Sequence, residues 1–284
     1  MKDKICVVTG ASNGIGKEIA IQLATMGARV AMVCRNEQRG LLAKKEIEES
    51  SGSNKIDLLL ADLSSLIQIR QLAEKLSDSY SYIDVLINNA GNFYLKKQFY
   101  EDGIEMTFAI NYLAPFYLTN LLLDKVKSAP QGRILIVSSR NQLMGKFDLD
   151  HYDFNNRIYN GLQAYSNSKL MTVIYTRELA KRLKGSKVTI NAIHPGNVKT
   201  NIGMNDNNWL FKFIWRTRSL FNISVEKGAE TTVYLATDPE IEKYSGQYFA
   251  HKKIAKVNPI ANQPGVGEKL WDFTERMIRD ASEQ

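Results

Sequence analysis

Cysteine is scarce in this chain of 284 residues: there are two, Cys6 and Cys34. Both fall in short apolar runs that read as buried strands. That excludes a disulfide framework or a thiolate metal site and makes them packing residues of a reducing compartment. The three histidines, His151, His194 and His251, are isolated in sequence and lack ligand spacing, so no metal is expected. No apolar run approaches the roughly 20 residues that cross a bilayer. Repeats, low-complexity tracts and Pro/Gly/Ser linkers are missing too, which makes one domain over 1–284 the simplest organisation. Only Met1 to Asp3 precede the first strand, too little for a secretory signal, and a cytoplasmic location is expected by default. The net charge is +7, but no nucleic-acid recognition motif accompanies it, so no nucleic-acid partner is expected and the surplus reads as a solvated basic surface.

What the chain does have is 44% hydrophobic residues, enough for a large core. They form seven short runs rich in β-branched residues: Ile5 to Thr9, Arg29 to Cys34, Lys55 to Ala61, Ile83 to Asn88, Arg133 to Ser138, Lys187 to Ile193 and Gln247 to Ala250. Segments of helix length lie between them. This alternation predicts an α/β fold, a doubly wound, seven-stranded parallel sheet with helices on both faces.

Tyr165 and Lys169 stand four residues apart, a spacing that stacks both side chains on one face of a helix. Free tyrosine has a pKa of about 10, too high for a base at neutral pH. An ammonium about 5 Å away at an effective dielectric near 20 favours the phenolate by roughly 3 kcal/mol, or about two pKa units. The pair is therefore expected to work as a proton-transfer device.

The first strand runs directly into Gly10-Ala11-Ser12-Asn13-Gly14-Ile15-Gly16 and then into a helical pattern, Lys17 to Met26. Gly10 permits a tight turn, Gly14 lets backbone approach a pyrophosphate, and Gly16 lets the helix sit close to the strand, its N-terminus facing the phosphates. The spacing differs from the general G-x-G-x-x-G fingerprint, but its place between strand and helix points to a Rossmann-type dinucleotide site. The second strand ends without the acidic residue that an NAD site uses on the ribose hydroxyl. Arg35 and Asn36 follow instead, with Arg39 one turn on. A guanidinium offers forked donors to a 2′-phosphate, which favours NADP(H) over NAD(H).

Thr9-Gly10-x-x-x-Gly14-x-Gly16, Asp62-Leu63, Asn88-Asn89-Ala90-Gly91, Asn111, Ser138-Ser139, Tyr165-x-x-x-Lys169 and Pro195-Gly196 occur in the order and spacing of the short-chain dehydrogenase/reductase family, which the chain resembles over roughly residues 4 to 250. Within it, Cys34-Arg35-Asn36, Leu179 to Lys184 and His194 to Thr200 look most like the retinol-dehydrogenase-like branch. The resemblance implies reversible hydride transfer between a nicotinamide and a carbonyl or alcohol carbon. It implies Tyr165 as acid/base, Ser139 as donor to the substrate oxygen, Lys169 on the nicotinamide ribose and Asn111 on a water linking the lysine to solvent. The cofactor site would comprise Gly10, Ser12, Asn13, Gly14, Ile15, Gly16, Arg35, Asn36, Asp62, Leu63, Asn89, Ala90, Gly91, Tyr165, Lys169, Pro195, Gly196, Val198 and Thr200. Relatives often pair through the long helices near residues 103–127 and 162–184, so a homodimer or homotetramer is in view. Ser138 is the rival to Ser139; strand alternation turns the two to opposite faces, and the family pattern selects the second.

Substrate clues come from two segments. Residues 201–222 form the expected lid and carry Trp209, Leu210, Phe211, Phe213, Ile214, Trp215 and Phe221, interleaved with Lys212, Arg216 and Arg218. Such a stretch either packs onto the sheet or offers an apolar face with a basic rim to a membrane surface. Leu143, Met144, Phe147, Tyr152, Phe154 and Tyr159 are a second apolar source for an elongated pocket. A lipophilic carbonyl or alcohol, such as a retinoid, steroid, fatty aldehyde or ketone, fits best. A reductase of carrier-bound 3-oxoacyl chains and a catalytically silent cofactor sensor or scaffold remain the alternatives. The C-terminal extension, 252–284, contains an amphipathic stretch from Leu270 to Ile278 with no assigned role.

Overall fold

The computed structural model describes residues 1–100, 103–196 and 223–282. The expected lid at 201–222, with Val198 and Thr200, lies outside the described residues.

Along the chain, β1 (Ile5–Thr9), α1 (Gly14–Thr25), β2 (Arg29–Cys34), α2 (Glu37–Ser51), β3 (Ile56–Leu60), α3 (Leu66–Ser79) and β4 (Val85–Asn88) form the first half. The second half contains α4 (Met106–Phe108), α5 (Ala114–Leu121), α6 (Leu123–Lys127), β5 (Arg133–Val137), α7 (Gly161–Arg182), β6 (Thr189–His194), α8 (Val225–Thr237), β7 (Tyr248–Ala250), β8 (Lys253–Ile254) and α9 (Val266–Ser282). The strand order is β3-β2-β1-β4-β5-β6-β7-β8. The first seven are parallel, and β8 returns antiparallel to β7.

Strand alternation assigns the two faces. Cys6, Val8, Met32 and Ile87 join the α1, α2 and α8 layer, while Val7, Ala31, Leu86 and Ile134 join the α3, α5 and α7 layer. Burial of Cys6 pushes its thiol up to about 12 and that of Cys34 up to about 11, which suits packing residues.

Two elements differ from expectation. The eighth strand was not foreseen, because it has two exposed residues and follows a turn, His251-Lys252, whose positive φ angles of 51° and 60° come without Gly or Asn. The continuous helix expected near 103–127 is broken instead: Ala109–Leu113 widens into a π turn and a further break at Leu122 separates α5 from α6. Asn111 sits in the π turn.

The C-terminal helix α9 places its apolar stripe over α5 and α7. Trp271 meets Phe116 at 4.9 Å and Tyr175 at 5.9 Å, and the Arg182 guanidinium lies 3.9 Å over its ring. The Tyr112 and Thr274 hydroxyls are 2.7 Å apart. At Gly267 the helix lies close against α7, since a Cβ there would lie 2.6 Å from Glu178 Oε2. Trp271→Ala is expected to destabilise the fold by about 3–5 kcal/mol, read as a lower urea midpoint.

Candidate active site

A crevice of about 660 Å³ opens above the carboxyl ends of the central strands, beside the point where strand order reverses between β1 and β4. Gly10, Ser12, Asn13, Gly14, Ile15, Gly16, Arg35, Asn36, Asp62, Leu63, Asn89, Ala90, Gly91, Tyr165, Lys169 and Pro195 line it. Arg39, Asn92, Ile110 and Ser138 line it as well. Gly196 follows Pro195 with φ +91°.

The glycine turn is bonded to the turn after β4. Thr9 Oγ1 accepts from the backbone N–H groups of Asn89 and Ala90, both at 3.0 Å, and Asn89 Nδ2 donates to Thr9 O at 2.9 Å. Gly10 has φ +68°, and a Cβ on Gly16 would lie 2.3 Å from Gly10 O, so only glycine lets α1 approach this closely. Asn13, the N-cap of α1, makes no side-chain cap, whereas Asn36, Ser65, Asn160 and Ser224 cap α2, α3, α7 and α8. The first N–H groups of α1 thus remain available at the crevice, a donor set that suits a pyrophosphate. At the far end Arg35 leans toward Asp62, Nη1 to Oδ2 3.8 Å, while Asp62 Oδ1 accepts from Ser64 N and Oγ. The two guanidinium groups, Arg35 and Arg39, suit a phosphate on the adenosine side. These features fit a dinucleotide.

At the other end the side chains foreseen as catalytic converge. Lys169 is buried and its Nζ donates to Val137 O at 2.9 Å. The same Nζ lies 5.7 Å from the centre of the Tyr165 ring. Asn111, also buried, accepts from Asn92 N at 2.7 Å and donates to Asn92 O at 2.9 Å and Ser168 Oγ at 3.1 Å. A Cβ on Gly91 would stand 3.2 Å from Asn111 Oδ1 and 3.4 Å from Lys169 Nζ, so this glycine lies against both groups. Ser138 lines the crevice, and its hydroxyl donates to Lys169 O at 2.9 Å. Ser139 leads into the turn packed on α7; it stands beside the Tyr165 phenol, whose ionised form it favours, and its hydroxyl accepts from Asn141 N at 3.2 Å. Phe93 packs edge-on to the Tyr165 ring at 5.7 Å.

The electrostatics correct one expectation. Burial raises the Tyr165 pKa, with the Ser139 hydrogen bond opposing it, and burial lowers Lys169 to about 8. Desolvation therefore decides the balance at the phenol, which is held protonated. His194 is neutral, pushed down to about 4 by burial and by His251 and Arg140 nearby, and its Nδ1 accepts from Arg140 N at 3.3 Å.

The expected apolar pocket wall splits. Leu143 and Met144 are exposed, at 36% and 54%, together with Ile158 and Leu162. The aromatics turn inward: Tyr152 packs on Phe108 at 4.6 Å, Phe154 on Tyr159 at 5.3 Å, and Phe147 joins the core. Tyr159 Oη donates to the buried Glu105 at 2.9 Å, a contact across 54 residues that no local pattern announces. The same is true of Gln142 and Asn258, which sequence reading missed.

A crevice at the switch point of a doubly wound sheet, with tyrosine and lysine in its lining and a serine and a buried asparagine beside them, defines a nucleotide-dependent oxidoreductase class. Residues 4–210 match the short chain dehydrogenase family, and the chain belongs to it. It is 39% identical to human retinol dehydrogenase 14 over 98% of its own length and 87% of that protein's. Identity to human retinol dehydrogenase 13 is 37%, over 97% and 84% of the two chains. Among solved structures, one of an uncharacterized protein from Mycobacterium Paratuberculosis superposes with a TM-score of 0.79 at 28% identity, covering 98% of this chain and 94% of that one. The protein is thus a retinol-dehydrogenase-like oxidoreductase acting on CH–OH groups.

Proposed function

We propose that the protein is an NADP(H)-dependent dehydrogenase/reductase that interconverts the carbonyl and alcohol of a lipophilic small molecule. The convergence of Asn111, Ser139, Tyr165 and Lys169 at one end of the crevice carries this reading, because a silent cofactor sensor needs no proton relay. When bound, the dinucleotide supplies or accepts a hydride at nicotinamide C4. Ser139 donates to the substrate oxygen, and the protonated Tyr165 phenol delivers the proton that converts a developing alkoxide to an alcohol. Lys169 holds the ribose and keeps a positive charge beside the phenol. Asn111, fastened to Asn92 and Ser168, keeps the lysine end of the relay in register. Pro195 and Gly196 belong to the nicotinamide side of the site, with Val198 and Thr200 as further contacts.

A lipophilic substrate is supported by the exposed Leu143, Met144, Ile158 and Leu162 in the segment between Ser139 and Tyr165 and by relatives named retinol dehydrogenases. No described helix is long and apolar enough to cross a membrane. Peripheral membrane contact through 201–222, and a cytoplasmic site of action, remain parts of the same proposal. A homodimer or homotetramer would have to pair around α9, which occupies part of the α5 and α7 face.

The test is NADPH oxidation with purified protein and a panel of retinal, long-chain aldehydes, ketosteroids and carrier-bound 3-oxoacyl chains. Turnover of the free lipophilic carbonyls is expected; turnover of carrier-bound chains alone would move the assignment to the acyl reductase reading, and NADPH binding without turnover to the sensor. For the cofactor, Arg35→Asp is expected to raise KM for NADPH about 10- to 100-fold, the worth of one charged hydrogen-bond pair, and to leave KM for NADH lower than before. An unchanged ratio of the two would remove Arg35 from phosphate recognition.

A further inference from the structure

The C-terminal extension reaches the active site through one buried carboxamide. Five hydrogen bonds join Gln142 and the turn around it to residues 256–258, although the two segments are more than 110 residues apart in sequence. Asn258 Nδ2 faces three carbonyl oxygens, Gln142 O and Leu143 O at 3.2 Å and Gly145 O at 3.0 Å. Its Oδ1 accepts from Ile260 N at 3.0 Å. In return the Gln142 side chain accepts from Asn258 N at 2.8 Å and donates to Lys256 O at 3.1 Å. Both residues are buried, Gln142 at 0% and Asn258 at 5% exposure, so water does not replace these bonds when they are lost.

The fastened turn is capped by Ser139 and carries the exposed Leu143 and Met144. Its other side is pressed on α7: a Cβ on Gly145 would lie 2.6 Å from Ser166 O, Lys146 N donates to Asn167 Oδ1, and Gln163 Nε2 donates to Met144 O. The turn is therefore held between the helix that bears Tyr165 and the C-terminal strap. We propose that Asn258 is a positioning residue: its carboxamide latches the 140–145 turn and so sets the placement of the Ser139 hydroxyl against Tyr165 and of the Leu143–Met144 wall against the substrate. The latch rests on the roles proposed above for Ser139 and Tyr165. It gives the C-terminal extension a part in catalysis without touching substrate or cofactor.

The test compares wild type, Asn258→Ala, Asn258→Asp and Tyr165→Phe. The measurements are kcat for NADPH-dependent reduction of a long-chain aldehyde, and NADPH affinity by fluorescence. Misplacement of a reacting group by about 1 Å costs on the order of 100-fold, so kcat of Asn258→Ala is expected to fall about 10- to 100-fold. Asn258→Asp keeps the size and the bond to Ile260 N but turns carboxylate oxygen toward three carbonyls, and is expected to fall at least as far. NADPH affinity should stay at the wild-type value in both, since no crevice residue has been changed. Should Asn258→Ala fail to fold, Asn258→Ser retains one hydroxyl donor and is expected to give an intermediate kcat at wild-type NADPH affinity. Wild-type kcat in the Asn258 variants beside an inactive Tyr165→Phe would overturn the latch alone, as would a parallel loss of NADPH affinity, which marks general loosening. A wild-type protein that turns over no carbonyl would overturn the functional reading and the latch with it.

Discussion

Tyr165→Phe is expected to lower kcat by about 10²- to 10⁴-fold, the usual worth of a positioned general acid, while NADPH affinity stays close to wild type. The substitution removes one oxygen atom and leaves the ring to pack on Phe93 as before. Binding should survive because the remaining crevice lining, from Gly10 to Gly91, is untouched. Rapid-mixing measurement of a single turnover separates the two effects. Near-wild-type turnover in the variant would remove the phenol from the chemistry and shift the service of the substrate oxygen to Ser139.

Lys169→Met should lose both turnover and cofactor affinity, with kcat/KM for reduction falling by about 10²- to 10⁴-fold. The loss has two sources: the ribose loses its donor, and Val137 O loses the buried partner it has at 2.9 Å, an uncompensated carbonyl costing about 1–3 kcal/mol. The wild-type pH profile is a second reading of the same residue. Lysine is charged below its pKa, which burial lowers to about 8, so the positive charge is present at neutral pH and is lost as pH rises through about 8. Since kcat/KM reports groups of the free enzyme, its falling limb is expected there for the reduction. Lys169→Met should lack that limb. A limb that survives the substitution belongs to another group.

Local patterns in the sequence were enough for what local physics controls. β-branched apolar runs located the seven parallel strands to within a few residues, because strands buried on both faces must be apolar throughout. The glycine turn was readable since a Cβ at position 10, where φ is +68°, would lie 2.9 Å from Ala90 Cα, and one at position 16 would lie 2.3 Å from Gly10 O. The four-residue spacing put Tyr165 and Lys169 on one helical face, but the balance between desolvation and charge at that pair was not readable, because it depends on burial by segments distant in sequence. For the same reason Phe147, Tyr152 and Phe154 were read as pocket wall: their apolar character is local, while their inward direction is set by Phe108 and α9. β8 and the Gln142–Asn258 bonds left no trace in composition, the first being two exposed residues after a turn without glycine, the second a polar pairing across 116 positions.

The central claim is that Tyr165 protonates a lipophilic carbonyl while hydride arrives from NADPH. The most direct measurement is the fate of deuterium in a reaction of retinal or a long-chain aldehyde with NADPH deuterated at the transferring position of nicotinamide C4. The account predicts that wild-type protein yields alcohol carrying the deuterium on the former carbonyl carbon, and that Tyr165→Phe, saturated with the same cofactor, yields almost none. Cofactor bound with no deuterium in any product, or equal labelling by both proteins, would contradict it.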